Sequence, residues 1–128
     1  MPESTLLHEL VLCAATRHGD AAALTEDSGT RSYAELADLV GAFGAGICRL
    51  GLRRGARVGI YLDKRVETVV ASFGAAAAGA VFVPMNPLLK AEQVAYIATD
   101  CNVQVLVTSA ERLALLGGVR KACRDLRT

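Results

Sequence analysis

The chain has 128 residues, which is enough for one compact domain with a single hydrophobic core. Its formal net charge of +1 gives no electrostatic reason to expect nucleic acid or an anionic membrane surface as a partner. Its four cysteines form no CxxC pair, which argues against a zinc site. Because the N-terminus does not resemble a secretory signal, we expect buried or free thiols in a reducing compartment, the cytoplasm.

The start of the chain predicts a helix followed by a small hairpin. Apolar residues recur at helical spacing from residue 6 to residue 14, and Gly19 can end this helix. Residues 21–25 predict a short strand. Residues 30–32 can pair back onto it, because the intervening EDSG is typical of a turn.

A long amphipathic helix follows the hairpin. Ser32 and Glu35 form an S-x-x-E capping box, in which each side chain binds the backbone amide of the other residue. Apolar residues then follow one face as far as Leu50, and Gly51 provides a left-handed stop. The helix also contains three glycines that do not complete a GxGxxG pattern and that we interpret as packing positions: Gly41, Gly44 and Gly46.

The rest of the chain alternates between buried strands and helices. The predicted strands are residues 55–62, 81–83 and 103–107, and the predicted helices between them are residues 65–79 and 91–99. Unbroken apolar strands separated by helices are typical of a parallel sheet covered on both faces. We therefore predict an α/β fold: a partial doubly wound, mostly parallel sheet with helices on both faces, a short N-terminal hairpin, and residues 81–83 as a central strand.

One uncharged segment raises the question of a membrane span. Residues 68–89 carry no charge, but they are rich in alanine and glycine and end in Pro84, Asn86 and Pro87. We therefore predict a buried helix and a buried strand in place of a span.

The C-terminal part predicts one more capped helix. Thr108 and Glu111 form a T-x-x-E pattern, which predicts a second capping box. The helix that it opens is expected to break at Gly117 and Gly118. The tail after these glycines can be helical, but it ends on charged residues, and no further strand or helix is predicted after it.

The ends of the predicted strands are where a ligand is expected, because ligands of open α/β sheets bind outside the carboxyl ends of the strands. After the first strand, Asp63 most simply caps the next helix, while Lys64 and Arg65 offer an alternative contact to a phosphate. After the third strand, Thr108 and Ser109 are expected to cap the following helix.

The end of the second strand is unusual because two prolines fix the backbone around Asn86. Its amide either lines a ligand channel or braces a neighbouring loop. Arg112, one turn into the last predicted helix, either reaches a phosphate or remains a surface arginine. No Walker loop, GxSxG, HExxH or EF-hand pattern is present, so we predict no catalytic and no metal-binding residue in this chain.

Several of these segments occur in a familiar order. RSYAEL at residues 31–36, GLRRGARV at residues 51–58 and AGAVFVPMNP at residues 78–87 are followed by VAYIATDCNVQVLVTSAERL at residues 94–113. Together they resemble the start of the AMP-forming acyl-CoA synthetase and adenylation-domain superfamily. Two positions depart from its motifs: Arg31 begins the first one, and Ala56 stands where an aspartate is usual in the second.

The resemblance implies that residues 1–128 are an N-terminal subdomain fragment of the large domain of an adenylate-forming enzyme. The parent would use ATP, Mg and CoA to convert a carboxylate, such as a fatty acid, into an acyl-adenylate and then into an acyl-CoA. The family's phosphate loop and catalytic lysine lie beyond this region, so the chain alone is expected to be inactive and to bind none of these cofactors tightly. Met85, Asn86 and Arg112 are the candidates for one wall of the CoA and acyl tunnel.

Two other functions remain open at this point. The parent can be an adenylation domain that serves a carrier protein, or the chain can be a standalone binding module without catalysis. If the chain is an N-terminal fragment, its main partner is the remainder of the parent enzyme. Self-association of the chain is also expected, because faces and strand edges that should meet that remainder would be exposed.

Overall fold

The computed structural model describes residues 4–128, and this part of the chain contains six helices and five strands. In chain order they are α1 (Glu9–His18), β1 (Ala22–Glu26), β2 (Gly29–Ser32), α2 (Tyr33–Arg49), β3 (Arg57–Tyr61), α3 (Val66–Ala77), β4 (Val81–Pro84), α4 (Ala91–Asp100), β5 (Val103–Thr108), α5 (Ala110–Ala114) and α6 (Val119–Ala122). None of the helices within residues 4–128 has both the length and the apolar character needed to cross a bilayer.

Helix α1 is more exposed than its apolar pattern predicts. Leu6 and Leu7 precede the helix, and Leu10 lies exposed on it, which leaves Val11 as its buried residue. Gly19 follows the helix with φ −53° and ψ −37°. The helix therefore ends without the left-handed glycine conformation that closes many helices.

The hairpin and the cap of α2 confirm the local predictions. Strands β1 and β2 are antiparallel, with Glu26 opposite Gly29 at the turn. The amide of Glu35 donates to Ser32 Oγ at 3.2 Å, and the amide of Ser32 donates to Glu35 Oε2 at 2.8 Å. Gly51 has φ +70°, as expected for a left-handed stop.

The parallel sheet has the strand order β4-β3-β5, so β3 is its central strand. The prediction that residues 81–83 form a central strand is therefore wrong. Val81, at the start of β4, is 49% exposed, whereas Val58 in β3 is completely buried. The apolar run of β4 allowed the error, because half-buried edge strands and central strands can both be rich in valine.

Helices cover both faces of the sheet, which confirms the predicted fold class. On one face, Ile47 of α2 and Ala75 of α3 pack with Val58. On the other face, α4 and α6 flank a second cluster of buried side chains: Tyr61, Met85, Val94, Ala98, Val103, Leu116, Val119 and Cys123.

Close packing of α2 on α3 depends on two glycines that face each other across the pair. A Cβ atom at Gly44 would lie 3.2 Å from the carbonyl oxygen of Gly74, and one at Gly74 would lie 2.6 Å from Phe43 Cδ1. Gly41 and Gly46 have open space at the same position. The interpretation as packing glycines is thus correct for Gly44 and wrong for Gly41 and Gly46.

The second predicted capping box does not form. Ser109 caps α5, because its Oγ accepts from the amide of Arg112 at 3.2 Å. Thr108 belongs to β5 and donates its hydroxyl to the carbonyl oxygen of Tyr61 at 2.8 Å. The prediction of a cap is therefore confirmed for Ser109 and wrong for Thr108, because the threonine is still held in the sheet.

The tail returns to the sheet after the short helix α6. The amide of Arg127 donates to the carbonyl oxygen of Gln104, and the amide of Leu106 donates to that of Thr128, both at 2.8 Å. The pairing advances in the same direction along both segments, as in a parallel ladder. The tail therefore lies along the outer edge of β5, a placement that helical propensity did not predict.

We expect Gly74→Ala to lower the free energy of unfolding by about 1–3 kcal/mol, because its Cβ would overlap the ring of Phe43. Gly46→Ala is the matched control. It adds a Cβ where there is open space within a helix, and should raise the free energy of unfolding by about 0.5–1 kcal/mol. Urea denaturation of both variants would measure these changes. Equal effects of the two substitutions would contradict the close α2–α3 contact.

Candidate functional site

The carboxyl ends of the three parallel strands meet at one edge of the sheet. There, β3 continues into Asp63, β4 continues into the segment of residues 85–90, and β5 continues into Ser109. We call residues 85–90 the β4–α4 loop. This edge is the place where an α/β sheet of this kind binds its ligands.

Arg112 connects all three strand ends through its guanidinium group. Nη2 donates to the carboxylate of Asp63, and Nη1 donates to the carbonyl oxygen of Pro87. The guanidinium carbon also lies 5.2 Å from the centre of the Tyr61 ring, within the range of a cation–π contact. The side chain is 18% exposed and its Nη donors face protein groups, so Arg112 is not a freely exposed surface arginine. Its contact with a phosphate stays a prediction.

The surroundings of Arg112 favour its charged form. Burial by itself lowers the pKa of the guanidinium, but the contacts with the Asp63 carboxylate and with Tyr61 raise that pKa above its ordinary value. The remaining nitrogen, Nε, is buried and finds no hydrogen-bond partner within residues 4–128. The charge is thus held by its two Nη atoms and by the aromatic face.

Tyr61 is the second residue that joins the strand ends. It is 2% exposed, and its hydroxyl donates to the carbonyl oxygen of Leu89 in the β4–α4 loop at 2.6 Å. Its own carbonyl oxygen accepts from Thr108 on β5. Sequence reasoning treated Tyr61 as an apolar strand residue. The phenol of Tyr61 is the signal that was missed. A buried tyrosine hydroxyl usually has a hydrogen-bond partner, so a tyrosine in a buried strand predicts a polar contact near its end.

The β4–α4 loop is shaped by Asn86. Its Oδ1 accepts from the amide of Leu88 at 2.9 Å, and its carbonyl oxygen accepts from the amide of Leu89 at 3.0 Å. The asparagine is exposed and braces its own loop, as Asx turns do. Leu88 is 86% exposed at the tip, whereas Met85 is 4% exposed and belongs to the core.

Asp63 does not cap α3, contrary to the prediction. The cap residue is Arg65, whose side chain makes no capping bond. The Asp63 carboxylate turns to Arg112, and its carbonyl oxygen accepts from the hydroxyl of Thr68 at 2.6 Å. The carboxylate that we expected to accept from the first amides of α3 thus accepts from Arg112, which lies 49 residues later in the chain.

Arg65 and Lys64 lie beside Asp63 but make different contacts. Arg65 donates to Glu67 Oε2 at 2.9 Å, and this hydrogen bond raises the pKa of Arg65. The pKa of Glu67 is lowered, first by its own backbone amide and then by Arg65. Lys64 is exposed, and both cations line an open depression of about 500 Å³ with the turn of the hairpin. Their phosphate contact stays a prediction.

The edge therefore carries structure-forming polar contacts in place of reactive groups. Within residues 4–128, no three or more histidine, cysteine, aspartate or glutamate side chains come together as they would around a metal ion. Apart from the exposed Lys64, the polar side chains that end the strands bind one another, a neighbouring side chain or the backbone. The arrangement can shape a wall of a binding site, and it presents no nucleophile paired with a base.

Tyr61→Phe should lower the free energy of unfolding by about 1–2 kcal/mol, because the Leu89 carbonyl oxygen would lose a donor in a part of the molecule with little water. Tyr96→Phe removes the same atom from a residue that is 72% exposed, and should change stability by less than about 0.5 kcal/mol. Thermal and urea denaturation would compare the two variants. A loss no larger for Tyr61 than for Tyr96 would count against the hydrogen bond.

Comparisons with known proteins agree with the resemblance in the motifs. The family model described as AMP-binding enzyme matches residues 13–127. A crotonobetaine/carnitine--CoA ligase from Salmonella paratyphi B is 36% identical over 90 residues, which are 70% of this chain and 17% of that protein. An L-proline--[L-prolyl-carrier protein] ligase from Pseudomonas fluorescens is 30% identical over 113 residues, which are 88% of this chain and 23% of that protein.

Solved structures give the same picture at the level of the fold. The crystal structure of an anthranilate CoA ligase in complex with anthranoyl-AMP superposes with a TM-score of 0.91 and 25% sequence identity. The match covers 99% of this chain and 25% of that one. This chain thus spans about a quarter or less of the length of these three proteins.

Proposed function

The chain belongs to the family of AMP-binding enzymes, and on this premise we propose that it is the N-terminal part of the large domain of an ATP-dependent acyl-CoA ligase. In the proposed reaction, a carboxylate oxygen bonds to the α-phosphorus of ATP and pyrophosphate leaves. The thiol sulfur of CoA then bonds to the acyl carbon of the adenylate, and AMP leaves. The observation that carries the proposal is the family match across residues 13–127, which covers nearly the whole chain.

Two observations support CoA as the thiol. The crotonobetaine/carnitine--CoA ligase is 36% identical over 90 residues, and the anthranilate CoA ligase superposes over 99% of the chain. The carrier-protein alternative is supported by the L-proline ligase, at 30% identity over a longer stretch. The second candidate function is therefore a domain that transfers the acyl group to a carrier protein.

We propose no site for ATP or magnesium among residues 4–128. Within the part of the chain that the structure describes, no acidic cluster forms, and Arg112 is already bound to Asp63 and Pro87. We therefore assign no step of adenylation to side chains of residues 4–128. The proposed contribution is a scaffold and one wall of the CoA tunnel, with Asn86 on the exposed loop, Met85 in the core next to it and Arg112 behind it.

The isolated chain should form no acyl-adenylate, whereas the full-length protein that contains it should release pyrophosphate when given a carboxylic acid, ATP and magnesium. The assay would use a panel of fatty acids and amino acids, with hydroxylamine to trap the adenylate. CoA and a carrier protein would then be compared as acceptors. Turnover by the 128-residue chain would contradict the scaffold role, and a full-length protein that activates no acid would contradict the ligase.

We also expect the isolated chain to self-associate as its concentration rises, because surfaces suited to the remainder of the enzyme are exposed. They include the free edge of β4 at Val81 and an apolar groove of about 470 Å³ beside β5, next to the tail. Sedimentation equilibrium would measure the average mass. Val81→Lys should weaken association through the strand edge, and a monomer at the highest concentration tested would contradict the expectation.

A further inference from the structure

We propose that Arg112 is a positioning residue that holds the β4–α4 loop in place at the ligand-facing edge, and that it is not a ligand of phosphate. The functional meaning of that edge rests on the proposed ligase function, whereas the contacts of Arg112 do not. Three features of the structure support the assignment.

The first is that the guanidinium group is already engaged on both sides. One Nη atom binds the Asp63 carboxylate, the other binds the Pro87 carbonyl oxygen, and one face lies over the ring of Tyr61. An arginine recognises phosphate with a pair of parallel N–H donors. Because Nε is buried and each Nη already donates one N–H, a phosphate would meet only the remaining N–H of each Nη.

The second feature is that the middle of the loop donates no backbone N–H to another element. Pro84 and Pro87 have no N–H group, so the loop cannot be fixed at these positions by donating to neighbouring strands. Between the amides of Met85 and Lys90, which donate to Ile60 and Gln93 at the two ends of the loop, its anchors to other elements are carbonyl oxygens. That of Pro87 accepts from Arg112, and that of Leu89 accepts from Tyr61. Both donors are side chains that come from other elements, α5 and β3.

The third feature is the position of β4 at the edge of the sheet. Backbone bonds to β3 continue only as far as Met85, whose amide donates to the carbonyl oxygen of Ile60 at 2.9 Å. Beyond that point Asn86 shapes the turn internally, but it does not tie the turn to the sheet. Arg112 and Tyr61 therefore determine where the exposed tip, Leu88, is presented.

Nuclear magnetic resonance relaxation of the chain would test this assignment. Arg112→Gln should lower the backbone order parameters of Leu88 and Leu89 from about 0.85, the value of rigid backbone, to about 0.6 or less. The order parameters of β3 should stay unchanged. Arg112→Lys should behave like Arg112→Gln, because lysine keeps the charge but lacks the planar fork. The exposed Arg124→Gln is the control and should leave the loop as it is.

Two results of the relaxation experiment would overturn the proposal. One is a loop that keeps its order parameters in Arg112→Gln. The other is a loss of order that spreads equally over β3 and the loop, which would mean that Arg112 only contributes to global stability. Titration with inorganic pyrophosphate supplies a third test. We expect no saturable shift of the Arg112 side-chain resonances, and a saturable shift would assign Arg112 to phosphate binding.

The full-length protein separates this proposal from the proposed function. If the ligase function is correct, Arg112→Gln should raise KM for the thiol while kcat for adenylate formation stays within about twofold, since loop position affects binding more than the earlier chemical step. A full-length protein without ligase activity whose loop loosens in Arg112→Gln would refute the ligase and leave the positioning role intact. An active ligase whose loop stays rigid in Arg112→Gln would support the ligase function and refute the positioning role.

Discussion

The guanidinium group of Arg112 makes the contacts on which the carboxyl-end edge of the sheet depends. Backbone hydrogen bonds hold the three parallel strands to one another, but they stop where the chain leaves the sheet. Arg112 bridges the ends of β3 and β4 from its own position after β5. Tyr61 supports it with an aromatic face and anchors the same loop with its hydroxyl. The side chains of Arg112 and Tyr61 thus hold the β4–α4 loop, which has no further backbone hydrogen bonds to the sheet beyond Met85.

Packing in the core restricts the motion of the residues that make these contacts. Strand β3 is buried on both faces, so its end at Tyr61 has little freedom to move. On one face, facing glycines let α2 and α3 approach closely. On the other face, Met85 packs with Tyr61 and Val94, which links the start of the β4–α4 loop to the same rigid layer. The edge is therefore a fixed surface.

A fixed surface without reactive groups is consistent with an N-terminal part of an AMP-binding enzyme. The chain spans only about a quarter or less of its relatives, and the polar groups at its edge are occupied by one another. In the proposed ligase, such a wall would hold the thiol or the acyl group in position, while groups elsewhere stabilise the charge that develops in the reaction.

The sequence by itself determined the local elements, the α/β class and the family, because these depend on spacing along the chain. The capping box of Ser32 and Glu35 spans three residues, and the left-handed Gly51 needs only its own backbone. The motifs at residues 31–36 and 78–87 likewise identify the family as local strings.

Only the tertiary structure decided the position of β4 at the edge and the partners of Asp63 and Thr108. Asp63 meets Arg112 across 49 residues, and Thr108 meets Tyr61 across 47. In both cases a side chain suited to capping a nearby helix found a partner in another element. Local patterns cannot predict such a choice, because it depends on which strands the fold places side by side.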